Sequence, residues 1–233
     1  MANAFDRLVV SVPDLGGAVN QYQAVMGVPP VPGGAMGPAP TARWLLANTV
    51  VELVERDVAA PHLQGLVFAR DRAPEVGEVI ENSLGLHLHQ CDGRFTEQLR
   101  GKWSSEHRPA LSVDHVVLRT VNPDACIDLF RDQLGIRLAL DKSIAAWGGR
   151  MLFFRGGKMT LEVIESSTDG PEKNLFWGVA YQCASLAERV QILRDAGVQV
   201  SAPRDGRKPG TRVATLKSHD LGIPTLLIQP APS

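Results

Sequence analysis

The feature that most limits what this chain can fold into is that it repeats itself. Residues 5–28, FDRLVVSVPDLGGAVNQYQAVMGV, align without a gap on residues 113–136, VDHVVLRTVNPDACIDLFRDQLGI, so that Asp6 falls on Asp114, Val9 on Val117, Tyr22 on Phe130 and Gly27 on Gly135. Each copy reads as a short apolar strand, a turn carrying Asp, Asn or Pro, an amphipathic helix and a glycine. In the second copy Asn122 is placed to cap a helix over 123–134, Pro123 suits its first position, and Gly135 suits the left-handed residue after its end. Cys126, Ile127, Phe130 and Leu134 recur at helical spacing and make one apolar stripe. A period of this length means a repeated supersecondary unit.

Two weaker copies follow the strong ones. Residues 174–198 read as strand then helix, with Ser185 and Glu188 as a capping box and Gly197 as the stop. Residues 63–86 read the same way, with Pro74 early in the helix and Gly85 as the stop. The stop glycines lie 58, 50 and 62 residues apart. Strand-like segments follow each helix: 136–140, 150–154 and 158–165 behind glycine turns, then 198–200, 212–216 and 225–229. After Gly27 a Pro/Gly-rich loop, VPPVPGGAMGPAP, displaces the second strand ahead of 43–47 and 49–55. The unit starting near Leu63 is truncated, since after 86–90 it runs into DGRFTEQLRGKWSSEHRPALS, which shows no clear strand pair. The expected fold class is therefore α+β, with tandem βαβββ units forming curved mixed sheets and helices outside. The expected division is a degenerate N-terminal domain over 1–103, a linker over 104–112 and a second domain over 113–233.

Composition narrows the function classes. Twenty-four Lys+Arg balance twenty-five Asp+Glu for a net charge of −1, which argues against a nucleic-acid surface, because phosphate neutralisation needs clustered excess base. No apolar run approaches the ~20 residues of a membrane helix, and the N-terminus has no signal-peptide pattern. Cys91, Cys126 and Cys183 are odd in number and lack CxxC spacing, so they read as reduced core residues of a cytoplasmic protein. There is no GxSxG elbow, no P-loop and no GxGxxG opening a helix after a strand.

Two consecutive βαβββ units, the C-terminal pair opening on Asp114-His115-Val116-Val117 and carrying a fourth strand Thr160-Leu161-Glu162-Val163-Ile164-Glu165, resemble the vicinal oxygen chelate superfamily. That superfamily includes glyoxalase I, methylmalonyl-CoA epimerase, extradiol dioxygenases and the bleomycin and fosfomycin resistance proteins. The resemblance implies a cup-shaped sheet with a metal or ligand inside, and metal ligands on the first and fourth strands of each unit. Carried over by position, it makes His115 and Glu162 candidate ligands for Fe, Mn, Ni or Zn, with Glu162 also the candidate catalytic group. Strand alternation puts Val113, His115 and Val117 on one face, and Thr160, Glu162 and Ile164 on one face. The alternative reading of the pair is a buried His–carboxylate contact that satisfies itself.

The same carry-over leaves the other half of that site without ligands. It falls on Gly178 or Trp177 in the first strand of the last unit, and on Leu226 or Leu227 in its last strand. In the N-terminal half Arg7 replaces the histidine, Glu52 matches Glu162 and Gly65 takes the third position. Arg7 with Glu52 reads as an ion pair inside an inherited cup, or as a carboxylate-binding arginine in a second pocket. Trp147, Trp177, Tyr181 and Gln182 are expected substrate-binding residues, and His219 is a possible extra ligand. His87 and His89, two apart, share one strand face and read as solvated. Arg204, Arg207 and Lys208 form a basic loop near the cup mouth. The resemblance thus supports a divalent-metal-dependent lyase, isomerase or dioxygenase acting on a small oxygenated substrate, or a metal-free small-molecule binder of the bleomycin-resistance type, as monomer or homodimer.

Overall fold

The computed structural model describes residues 2–32, 39–71, 73–74, 77–144, 149–166 and 174–232. The N-terminal half contains β1 (Ala2–Val12), α1 (Leu15–Met26), β2 (Val31–Pro32), β3 (Thr41–Leu45), β4 (Val50–Glu55), β5 (His62–Arg70), β6 (Glu78–Val79), β7 (His87–Cys91) and α2 (Arg94–Lys102). The C-terminal half contains β8 (Ser112–Thr120), α3 (Pro123–Ile127, continued as a π-helical turn over Asp128–Gln133), β9 (Arg137–Ile144), β10 (Gly149–Gly156) and β11 (Met159–Glu165). Its second unit follows with β12 (Leu175–Gln182), α4 (Leu186–Asp195), β13 (Arg204–Asp205), β14 (Arg212–Thr215) and β15 (Thr225–Gln229).

The strands form two mixed sheets, in the order β2-β3-β4-β1-β5-β7-β6 and β13-β14-β15-β12-β8-β11-β10-β9. In each unit the first strand runs parallel to the last, and the two first strands of a half pair antiparallel at the sheet centre. This is the paired βαβββ, glyoxalase-like α+β arrangement expected from the repeat.

Local chemistry sets the helices. Asn122 Oδ1 accepts from the Ala125 amide at 3.0 Å behind Pro123, and Asp14 caps α1 in the same way through Gly17. Gly27, Gly135 and Gly197 end their helices at φ of 78°, 70° and 80°, a region open to glycine at little cost.

Two expectations are corrected. The helix expected within 63–86 is not formed among the described residues, where β5 runs on to Arg70 and β6 occupies Glu78–Val79. The Val79–Ile80 pair and Leu84 mimic helical spacing. Asn82, however, donates to the carbonyls of Ile80 and Leu86 and accepts from the Leu86 amide, which fixes a loop in place of a helical turn. The strand expected at 198–200 reduces to one bridge, Val200 to Leu216, and β13 supplies the second strand of that unit instead.

The two halves share one hydrophobic core. It runs from Leu8, Val10 and Tyr22 through Val116, Leu118 and Phe130 to Tyr181, Leu193 and Leu227. Tyr22 and Tyr181 meet hydroxyl to hydroxyl at 2.9 Å, and Arg189 on α4 donates to the Val25 carbonyl at the end of α1. Asn48 clamps Val113, accepting from its amide and donating to its carbonyl. The helix-covered faces of both sheets therefore meet inside, which leaves each sheet an opposite, inner-cup face for a ligand. Cys91, Cys126 and Cys183 are buried and unbridged. Among the described residues no helix is long and apolar enough to cross a membrane.

Candidate functional site

On β8 the alternation sends Val116 and Leu118 into the core, while His115 and Val117 take the opposite face. Glu162 lies directly across from Val117 on β11, so His115 and Glu162 share a face, with Nδ1 and Oε1 3.6 Å apart. A third group joins them. Pairing with β12 skips Asp114, running from Ala180–His115 to Tyr181–Val113, and this irregularity turns the Asp114 carboxylate onto His115 Nδ1 at 2.8 Å. Strict alternation places Asp114 on the far face and Val113 with His115, but the irregularity puts Val113 in the core with Val116 and Leu118.

The three groups set one another's protonation. Burial by itself lowers the His115 pKa, but the hydrogen bond that the ring donates to Asp114 and the charges of Glu162 and Asp114 outweigh it and hold the imidazole above its ordinary value. Asp114 is held low, first by its hydrogen bond with His115. Burial raises Glu162, against the pull of His115 and of Arg207 from the basic loop. The cluster places the His115 imidazole between two carboxyl groups, with Arg207 in electrostatic range.

Register settles which residues occupy the other half of the site. His115 faces Ala180 and Val117 faces Gly178, so the local two-fold of the β8–β12 pair makes Gly178 the counterpart of His115. Parallel pairing of β12 with β15 then makes Leu226 the counterpart of Glu162. Gly178 is closed by its neighbour, because a Cβ there would lie 2.7 Å from the Pro224 carbonyl oxygen. Partly exposed Phe153, Ile164, Leu226 and Ile228 give this face its apolar walls.

The remaining expected binding residues separate. Gln182 sits on the inner face with Ala180, half-buried. Trp177 occupies an irregularity in β12 and is 43% exposed. Tyr181 points the other way, into the shared core with Tyr22. Trp147 lies outside the described residues. His219 is engaged by Ser218 at 2.8 Å in the turn before β15.

The N-terminal sheet repeats the geometry with different chemistry. Register makes Arg7 the counterpart of His115, Glu52 of Glu162, Gly65 of Gly178 and His89 of Leu226. Gly65 is closed in the same way as Gly178, its Cβ position 1.9 Å from the His87 carbonyl oxygen. The expected Arg7–Glu52 pair is long, at 3.8 Å, and Glu52 is held by Arg43 of β3 at 2.6 Å. Arg43 was missed although it faces Glu52 across the β3–β4 hairpin. His87, which is exposed, and half-buried His89 lie at a cavity of about 230 Å³ that Arg7, Arg43 and Glu52 also line. One end of this face is covered by α2, whose Phe95 lies under the guanidinium groups of Arg7 and Arg43 at 5.6 and 5.1 Å.

For a divalent cation the C-terminal donor set is half-built. Two of its four positions are Gly178 and Leu226, and no group of three or more His, Cys, Asp or Glu side chains is arranged to hold a metal ion among the described residues.

Residues 114–215 match the family model described as Glyoxalase/Bleomycin resistance protein/Dioxygenase superfamily. Among solved structures, a variant of 4-hydroxymandelate synthase from Streptomyces coelicolor is similar over 100% of this chain and 94% of its own, with a TM-score of 0.75 at 11% identity. Methylmalonyl-CoA epimerase from Mycobacterium tuberculosis is similar over 52% of this chain and 88% of its own, with a TM-score of 0.43 at 22% identity. No curated protein matches the chain by sequence. The full-length likeness shows the fold, and the match to the Glyoxalase/Bleomycin resistance protein/Dioxygenase superfamily model covers the segment that carries His115 and Glu162.

Proposed function

We propose that the chain is a metal-free small-molecule-binding member of that superfamily, with its C-terminal inner face as the binding site. The observation that carries this reading is the replacement of two ligand positions by Gly178 and Leu226, the first blocked by the Pro224 backbone. What remains is a pocket wall: an apolar face from Phe153, Ile164, Leu226 and Ile228, with one hydrogen-bonding cluster to orient a ligand. In this role the protonated His115 donates to an oxygen of the ligand, Asp114 fixes the ring, and Glu162 accepts from a ligand hydroxyl or amine. Arg207 and Lys208 attract an anionic ligand toward the same face, since both act electrostatically on this cluster. The same proposal takes 113–233 as the binding unit, 1–103 as its degenerate partner and 104–112 as the junction.

One observation favours a second reading, a metal-dependent lyase, isomerase or dioxygenase. His115 and Glu162 do face the same side, with Nδ1 and Oε1 3.6 Å apart, and as a neutral imidazole and a carboxylate they would hold a divalent ion acting as Lewis acid on a small oxygenated substrate. The deciding experiment is metal analysis of protein purified without a histidine tag or chelator, repeated after incubation with Fe, Mn, Ni and Zn salts, alongside a thermal-shift ligand screen. The binding reading expects metal far below stoichiometry and ligand-induced stabilisation that Glu162→Gln weakens. Near-stoichiometric metal, lost in His115→Ala and Glu162→Ala, overturns it in favour of the enzyme.

A further inference from the structure

We propose that the N-terminal inner face is a second small-molecule site, one that takes an organic carboxylate on Arg7 and seats the ligand's apolar body along Val9, Val54 and Val67. The cavity there measures about 230 Å³, room for roughly eight waters' worth of ligand and below the usual range for large cofactors. Its polar wall is unlike the C-terminal one: Arg7, Arg43 and Arg56 face it with Glu52, His87 and His89.

Arg7 carries the argument. It is 94% buried by residue accessibility, being 6% exposed, yet its Nε has no hydrogen-bond partner. The nearest carboxylates do not satisfy it. Asp6 Oδ1 lies 3.3 Å from Nε without hydrogen-bond geometry, and Glu52 Oε2 is 3.8 Å away. Glu52 is occupied by Arg43, which reaches it through Nε and a terminal nitrogen, both at 2.6 Å. A buried guanidinium left short of acceptors is costly, and a bidentate carboxylate supplies what its planar fork lacks.

The surroundings favour an anion over a cation. Arg7 stands at the register position that His115 holds in the other half, so a fixed positive charge occupies the place where a metal ligand is expected. Counting Asp6 as charged, three guanidinium groups still face two carboxylates at this wall. His89 is kept toward its neutral form by burial, by His87 and by Arg7, which leaves it a donor and acceptor for ligand oxygens and not a competing ion. Phe95 of α2 lies against both Arg7 and Arg43, which helps keep the arginine fork in place before a ligand arrives.

The test is calorimetric titration of the full chain with sodium acetate, pyruvate, succinate and benzoate against sodium chloride at equal ionic strength. Benzamide serves as the uncharged analogue and inorganic phosphate as the competing anion. At least one carboxylate is expected to saturate one site per chain, with binding weakened about ten- to a hundredfold in Arg7→Gln, the scale of a hydrogen bond to a charged group. The same binding is expected to survive in His115→Ala, which separates this site from the C-terminal one. Should Arg7→Gln fail to fold, Arg56→Gln at the exposed mouth is expected to weaken the same carboxylate, and the benzoate-to-benzamide preference of the unaltered chain reads the charge requirement directly. Saturation by no carboxylate, equal affinity for benzamide, binding of phosphate alone, or loss of binding in His115→Ala would each overturn the proposal.

Discussion

The hydroxyl contact between Tyr22 and Tyr181 joins α1 of one half to β12 of the other, and it tests whether the halves form one cooperative body. Both rings are essentially buried, at 1% exposure, and their oxygens are 2.9 Å apart. Tyr22→Phe keeps the ring and its edge contact with Trp44, whose centroid is 5.7 Å away, and removes only the oxygen. The cost comes from the hydroxyl left behind on Tyr181, which has no water to turn to, and stranding such a group costs about 1–3 kcal/mol. Tyr181→Phe is expected to cost the same for the mirror reason. The double variant strands nothing, so it is expected to be destabilised by less than the sum of the singles, with a coupling energy of about 1–2 kcal/mol. For a chain of this size each single is expected to lower Tm by about 2–10 °C. Burial pushes the Tyr22 phenol up to about 12 and raises Tyr181 well above its usual value, so neither ionises in the working range and the cycle should not change between pH 6 and 9. The measurement is urea unfolding followed by far-UV circular dichroism and tryptophan fluorescence. Additive singles, or two separated transitions of which only one responds, would refute the shared-core reasoning.

Other substitutions probe the sites. Asp114→Asn replaces the charged acceptor of the His115 ring with a neutral one, leaving burial less opposed, so NMR titration should show the ring titrating at lower pH. Because the folded pKa of His115 is raised, its stabilising contribution is fully present below the unfolded value of about 6.5 and is lost as pH rises through the folded value. Urea unfolding of Asp114→Asn across that interval should show this loss reduced or reversed. Arg43→Met leaves Glu52 buried without its main partner and is expected to cost about 3–5 kcal/mol in chemical unfolding, with most of the loss recovered in Arg43→Met/Glu52→Leu. Gly65→Ala must displace the His87 carbonyl, and is expected to cost at least the ~1–3 kcal/mol typical of overpacking by the same assay.

The fold was written in the repeat because its signals are local. Capping at Asn122, the apolar stripe of Cys126, Ile127, Phe130 and Leu134, and the stop at Gly135 all act within one turn of helix, and the structure has them there. The truncated unit misled because Pro74 and Gly85 are helix punctuation only if a helix lies between them. What decides otherwise is Asn82 gripping Leu86, a side-chain contact that hydrophobic spacing does not encode. The site was readable where strand parity suffices, as for His115 with Glu162. It was not readable where pairing departs from parity, as for Asp114, or where a neighbouring strand supplies the partner, as for Arg43 and Glu52. Tyr181 misled because its place beside Gln182 says nothing about the irregularity that fixes which face each one takes.

The two inner faces show how one geometry is diverted by a few side chains. In both halves the third position is a glycine pressed against the backbone of the parallel last strand, Gly65 on His87 and Gly178 on Pro224. That closeness makes the loss of a ligand there hard to reverse by one substitution, since a histidine at either site needs the strands to part first. Gly178→His therefore tests the argument from the opposite direction. If side-chain identity alone were missing, the variant would acquire a third donor beside His115 and Glu162 and bind zinc more tightly than the parent chain. If strand spacing is the obstacle, as the 2.7 Å approach to the Pro224 oxygen requires, the variant loses stability and gains no zinc affinity. Thermal unfolding with and without zinc distinguishes the two outcomes, and a zinc-dependent rise in Tm for Gly178→His would refute the account of the closed position.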